Sequence, residues 1–215
     1  MTFPTRNLST NPGLFEVIEP ELRFKILPLF SFNPARPEAR PLGHGTAFRV
    51  DPWGTCATAF HVVEDLLAID GDRLVVQPSI RLAALDTGGW FIYGEVSAPD
   101  EVWRPISYLS AHGGIESPPI GERRVRNTTE LASLLISPRP SSTEPPLYLT
   151  LNLRQWLPSI GQRVMAIGYA NLDVGEGDVR PIGQTLFGSE AEIVEIVPAH
   201  AETGRPWPKV RVEAD

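Results

Sequence analysis

"GTAFRVDPWGTCATAFHVVEDL" (Gly45–Leu66) holds two short apolar runs, a turn between them, and a histidine. "HGTAFRV" (His44–Val50) reads as a strand, and "TCATAF" (Thr55–Phe60) as the strand that returns. Between them "DPWG" (Asp51–Gly54) is a turn, with Pro52 where φ near −65° is favoured and Gly54 at the end. "HVVEDLLAI" (His61–Ile69) then changes period: Val62, Leu66 and Ile69 share one helical face, so one or two helical turns follow the hairpin. His61 stands where the strand gives way to the helix. It is either a packed strand-end imidazole or half of a catalytic pair. The second reading requires an acid and a nucleophile elsewhere in the chain.

Outward from the hairpin, short strands dominate. "ELRFKILPLFSF" (Glu21–Phe32) alternates at Leu22, Phe24 and Ile26 and reads as a strand, followed by a Pro-rich loop over 33–43. "DRLVVQPSIRLAAL" (Asp72–Leu85) and "WFIYGEVSA" (Trp90–Ala98) read as further strands. Residues 100–126 read mostly as a long irregular connection. "ELASLLISP" (Glu130–Pro138) is apolar and stopped by proline, and "PSSTEPP" (Pro140–Pro146) reads as a linker. "QRVMAIGYA" (Gln162–Ala170), "EAEIVEIVPA" (Glu190–Ala199) and "KVRVEAD" (Lys209–Asp215) are strands between Gly/Pro turns. Residues 1–20 are polar and Pro/Asn-rich and read as an arm. Many short strands without regular helices predict an all-β fold, a barrel or a sandwich.

Composition agrees. Hydrophobic residues make up 42% of the 215, enough for a sizeable core. The 22 prolines are roughly twice the usual share and disfavour long helices. A net charge of −7 argues against a general nucleic-acid binder, whose affinity comes from Lys and Arg. The one basic cluster, "ERRVR" (Glu122–Arg126), reads as a solvated loop. Cys56 is the only cysteine, which excludes an intramolecular disulfide and a cysteine-based zinc site. His44, His61, His112 and His200 are too scattered to form a metal motif. No apolar run approaches a membrane span, and the first residues carry no secretory h-region, so no membrane partner and a cytoplasmic setting are expected.

The remaining candidates divide by context. Glu130 opens an apolar strand in one reading. In the other, "NTTE" (Asn127–Glu130) is a capping box that opens a helix. Asp65 and Asp70 lie close to His61 in sequence but read as caps or solvent-facing residues. Ser189, in "FGSEAE", reads as a turn residue and Cys56 as core. "GEGD" (Gly175–Asp178) lacks the Lys of a phosphate loop and reads as a surface turn. The five tryptophans have no stacking spacing.

With these residues in view, the chain resembles the trypsin-like serine peptidases, particularly the bacterial members without disulfides. That family has a strand Gly-Thr-Gly-Phe-Val, a turn, and a strand ending Leu-Thr-Ala-Ala-His-Val-Val. The matching residues are Gly45, Thr46, Ala47, Phe48 and Val50, then Thr58, Ala59, Phe60, His61, Val62 and Val63. Ala47 replaces a glycine, and Phe60 replaces a small residue and needs extra room. "ELASLLISP" resembles the family's Asp-Ile-Ala-Leu-Leu strand, "IGQRVMAIGYA" (Ile160–Ala170) its Gly-x-x-Val-x-Ala-x-Gly-Tyr strand, and "FGSEAEIVEI" (Phe187–Ile196) the strand after that. The order agrees, and the resemblance covers 24–215.

The resemblance implies a double Greek-key β-barrel with an incomplete second barrel. It divides the chain into an arm (1–20), a first barrel with His61 and Glu130 (21–138), and a linker with a partial second barrel (139–215). It also implies catalytic roles for His61 and Glu130, no cofactor, no metal, and a protein or peptide substrate. A serine hydroxyl is a poor nucleophile until an imidazole takes its proton, and a carboxylate on the other ring nitrogen fixes the tautomer. The family's acid is Asp; Glu130 is one methylene longer. The family's serine sits in a Gly-x-Ser-Gly-Gly loop, which this sequence does not contain. The expectation is therefore the N-terminal portion of a serine endopeptidase, continuing beyond Asp215. The alternative is a catalytically inactive protease-like domain that binds a partner peptide or protein.

Overall fold

The computed structural model describes residues 6–8, 13–37, 39, 41–86, 100–137, 146–152, 154, 156–169, 172, 185–198 and 209–214. The architecture is mostly β. Six strands close into a barrel: β3 (Ile26–Phe32), β4 (Leu42–Arg49), β5 (Thr55–Ala59), β8 (Arg81–Leu85), β9 (Trp103–Glu116) and β10 (Arg124–Ile136), in the order β10-β5-β4-β3-β8-β9. A two-stranded ribbon, β6 (Leu67–Asp70) and β7 (Arg73–Val76), links β5 to β8. The second sheet contains β1 (Arg6–Leu8), β2 (Phe15–Val17), β11 (Arg163–Tyr169), β12 (Leu186–Val197) and β13 (Lys209–Ala214). Among the described residues, no helix is long and apolar enough to cross a membrane.

Alternation fills the barrel. Leu27 and Leu29 of β3, Ala47 of β4, Cys56 of β5, Ala84 of β8, and Leu134 and Ile136 of β10 form one buried cluster. Small residues opposite leucines suit an interior just wide enough for side chains. Five consecutive hydrophobic residues of β3 precede a buried Ser31, and all are enclosed, because β3 is covered on both faces. Its other face packs Ile26 toward the second sheet, beside Phe15, Val17 and Leu186, and Phe30 beside Leu85 and Leu172.

Three sequence readings change. The strand expected over 21–32 begins as a short helix, α1 (Pro20–Lys25), and only then becomes β3. Pro20 favours a helix start, and Arg23 is buried beside Glu16, an ion pair that alternation does not anticipate. The irregular connection expected over 100–126 is largely strand: β9 and β10 pair over most of their length and are kinked by register shifts rather than broken by their glycines and prolines. Within the arm expected at 1–20, Arg6–Leu8 and Phe15–Val17 are strands of the second sheet. β1 pairs β2, β2 pairs β12, and Val17 is fully buried. Phe15 and Val17 alternate around Glu16, a strand pattern too short to register in a polar stretch. The strand expected over 90–98, most of the linker at 140–146, "GEGD", His200, Trp90 and Trp207 lie outside the described residues, as does the side chain of His112.

Candidate active site

The turn ahead of His61 is built by Asp51. Its carboxylate accepts hydrogen bonds from the backbone N–H of Trp53 (2.8 Å) and Thr55 (3.0 Å). Partial burial works against ionisation, but hydrogen bonds from Thr55, Trp53 and Gly54 outweigh it and hold the Asp51 carboxyl below its usual range. β5 then runs to Ala59, and Phe60 turns the chain into α2 (His61–Glu64), whose first turn closes with Val63 and Glu64 N–H donating to the Phe60 carbonyl. Phe60 and Val63 are buried with Leu67 and Ala132, beneath the ribbon. This is the extra room that Phe60 requires: the small Ala132 lies in the same cluster.

With Phe60 and Val63 turned inward, His61 points outward and its side chain is 71% exposed. Glu130 lies on β10, so the strand reading of "ELASLLISP" holds over the capping box. β10 pairs β5 from Leu131↔Ala59 onward, and the Phe60 N–H donates to the Glu130 carbonyl at 3.1 Å. A register shift between Asn127 and Ala132 in the β9–β10 pairing sits at the same place. The backbone thus sets residues 60 and 130 side by side. His61 Nδ1 lies 3.5 Å from Glu130 Oε2, at the long limit of a hydrogen bond in which Nδ1–H donates to the carboxylate. The acid is 50% exposed, so solvent screens the pair.

Other candidates fall elsewhere. Asp65 caps α2 with its backbone, and its carbonyl accepts from Gln77 Nε2 at 2.8 Å. Asp70 is exposed at the end of β6. Ser189 lies inside the β11–β12 ladder opposite Ala166, not in a turn, because the strand starts earlier than "EAEIV" indicates. Arg123 of "ERRVR" pairs with Asp72 at 2.7 Å, and Arg124 begins β10. Cys56 is fully buried, and desolvation pushes its thiol up to about 12.

A second imidazole had no signal in the sequence beyond its residue type. His44 Nε2 lies 2.7 Å from Ser31 Oγ. Burial lowers the His44 pKa, opposed by the charge of Asp65. Ser31 is buried, and this contact lies within β3 and β4 of the barrel. Among the described residues, no group of three His, Cys, Asp or Glu side chains is placed to hold a metal ion.

No family model matches the chain, and no curated protein matches it. Among solved structures it is similar to one titled "Structure of GrC", with a TM-score of 0.43 and 14% identity, covering 85% of this chain. The chain spans 65% of the length of that one.

Proposed function

We propose that this chain carries the histidine and the acid of a serine-endopeptidase site on a trypsin-like Greek-key scaffold. The observation that carries the reading is the His61–Glu130 pair, held at 3.5 Å by the adjoining ends of β5 and β10. The spatial order β8-β3-β4-β5 supports it, since a fourth strand returning beside the first is the Greek-key arrangement. The second sheet, with β11, β12 and β13 in sequence, then stands for the start of a second barrel.

In this reading Glu130 holds the proton of His61 on Nδ1 and leaves Nε2 to act as base. A serine Oγ attacks the scissile carbonyl carbon while its proton passes to Nε2. The tetrahedral intermediate collapses, the peptide C–N bond breaks, and the leaving amine takes that proton. Water, deprotonated by the same nitrogen, then hydrolyses the acyl-enzyme. The reading requires a serine nucleophile, and no Gly-x-Ser-Gly-Gly loop occurs in this sequence. The protein expressed from its full coding region is expected to label covalently with a fluorophosphonate probe and to lose the label in His61→Ala. An unlabelled but folded protein overturns the reading.

One observation favours a second reading. A triad acid is ordinarily buried, and Glu130 is half exposed. A protease-like domain that binds a peptide without cleaving it needs no enclosed acid, and absence of labelling together with peptide binding selects it.

A further inference from the structure

β9 outruns its neighbour β8. β8 begins only at Arg81, after a turn in which the Ile80 N–H donates to the Gln77 carbonyl at 2.9 Å. The two strands pair over Leu85↔Trp103, Ala84↔Arg104 and Ala83↔Pro105. β9 continues to Glu116, and the register shift that leaves Ser107 as an extra residue against β10 bends it. Past Pro105 the strands part into an open cleft of about 380 Å³, within the ~300–1,000 Å³ range of ligand-binding clefts. Ile80, Arg81 and Leu82 line it from one side, and Ile106, Tyr108 and Leu109 from the other.

The flank of β9 along this cleft carries main-chain groups. Even-numbered residues of β10 face β5: the Ile136 N–H donates to the Gly54 carbonyl, and the Glu130 carbonyl accepts from Phe60. Odd-numbered ones face β9, as the Ser137 N–H shows by donating to the Pro105 carbonyl at 3.1 Å. By alternation Ser133 and Leu135 exchange backbone bonds with Ser110 and Tyr108. Leu109 and Ala111 therefore turn their N–H and C=O groups away from β10. Among the described residues no strand pairs with β9 on that flank beyond Pro105, and the cleft leaves the flank open at Leu109.

Charge and shape select the occupant. The cleft lining is apolar apart from Arg81, Ser107 and Tyr108, and it includes no acidic residue. Ser107 is already engaged, its Oγ donating to the Leu135 carbonyl at 3.2 Å. Arg81 is exposed, and among the described residues it forms no ion pair. The Ala83–Pro105 pair closes one end, so an extended chain lying in the cleft has to stop there. An amino terminus at that end sets a like charge beside Arg81, whereas a carboxyl terminus sets an opposite one. The chain then runs antiparallel to β9, toward Pro105.

We infer that this cleft binds the apolar C-terminal segment of a partner protein, added as a strand to the open flank of β9 with its terminal carboxylate on Arg81. Leu109 and Ala111 bond two residues of the segment that lie two apart, and its side chains cover Leu82, Ile106 and Leu109. The cleft is lined by neither His61 nor Glu130, so the inference stands apart from both readings of that pair. Fluorescence anisotropy on the purified protein tests it. The probe is a pool of labelled hexapeptides whose last three positions are drawn from Val, Leu, Ile and Phe and end in a free carboxylate. Saturable binding is expected. The same pool ending in an amide is expected to bind at least about tenfold more weakly, and so is the carboxylate pool to Arg81→Gln. Amide exchange at Leu109 and Ala111 slows when the carboxylate pool is bound. Absence of saturable binding, equal binding of the two pools, unchanged affinity in folded Arg81→Gln, or unslowed exchange overturns the inference. Binding of decanoate without binding of the peptides assigns the cleft to a small amphiphile and also overturns it. The comparison of the two pools uses the wild type alone, so it decides even if the variant fails to fold.

Discussion

At the residue scale, the expectation that His61 and Glu130 come within reach of each other rested on each opening or closing an apolar run of strand type, and the structure sets them 3.5 Å apart. Which way Glu130 would fold was not legible, since "NTTE" suits a capping box equally well. Pairing with β5 and β9 decided it. Cys56 reads as core from sequence, and its burial has a measurable consequence. In the unfolded chain the thiol ionises near 9.0, while in the native state burial pushes it up to about 12. Across that window the native state holds the extra proton, so stability falls as pH rises, on the order of 1 kcal/mol per pH unit. Tyr169, pushed by burial from 10.0 to about 12, adds to the fall in the upper part of the window. Cys56→Ala is expected to be less stable than wild type at neutral pH by about 1–2 kcal/mol. It should lose less stability between neutral pH and the alkaline limit, as measured by urea denaturation at stepped pH. Parallel alkaline losses in both proteins would refute this.

At the element scale, the β4–β5 hairpin was legible in full because its turn chemistry is local. Asp51, Pro52 and Gly54 specify it without help from the rest of the chain. Gly54 adopts φ +99°, and a Cβ there would stand 2.5 Å from the Ile136 carbonyl oxygen. That carbonyl belongs to β10, whose Ile136 N–H also donates to the Gly54 carbonyl at 2.9 Å. Gly54→Ala is thus expected to cost about 2–4 kcal/mol, from backbone strain and displacement of a core strand together. Denaturant melts check the loss, and a change under 1 kcal/mol (roughly the noise of surface substitutions) would contradict it. β9 and β10 were illegible for the opposite reason. Pro105 sits within β9, Gly113 and Gly114 near its far end, and the pairing slips twice, so alternation is lost although the ladder continues. Register across strands decided these elements, and a single sequence does not display it.

At the scale of the molecule, the barrel was legible as a class from the number and spacing of short strands, but the composition of the second sheet was not. β2 meets β12 across more than half the chain, and nothing near residue 16 announces residue 187. The two β bodies are joined through Tyr169. Its N–H donates to Thr46 Oγ1 at 2.8 Å, and its hydroxyl donates to the Ile26 carbonyl at 3.2 Å. Gly168 permits the approach, since a Cβ there would lie 2.9 Å from the same Thr46 oxygen. Thr46→Val keeps the shape and strands the Tyr169 N–H, an expected loss of about 1–3 kcal/mol. Calorimetry checks it: a lowered transition is expected, and an unchanged one would show that this bond contributes nothing.

The bond between the Phe60 N–H and the Glu130 carbonyl has a consequence for which substitutions the scaffold tolerates at positions 61 and 130. The backbone holds positions 61 and 130 next to each other, with Phe60 and Ala132 in the core and the His61 and Glu130 side chains exposed. Spacing is inherited from the scaffold, and chemistry is written on top of it. Replacing either side chain leaves the spacing standing, with little penalty in foldedness. The atoms that fix the spacing are not the atoms of the two side chains that it brings together.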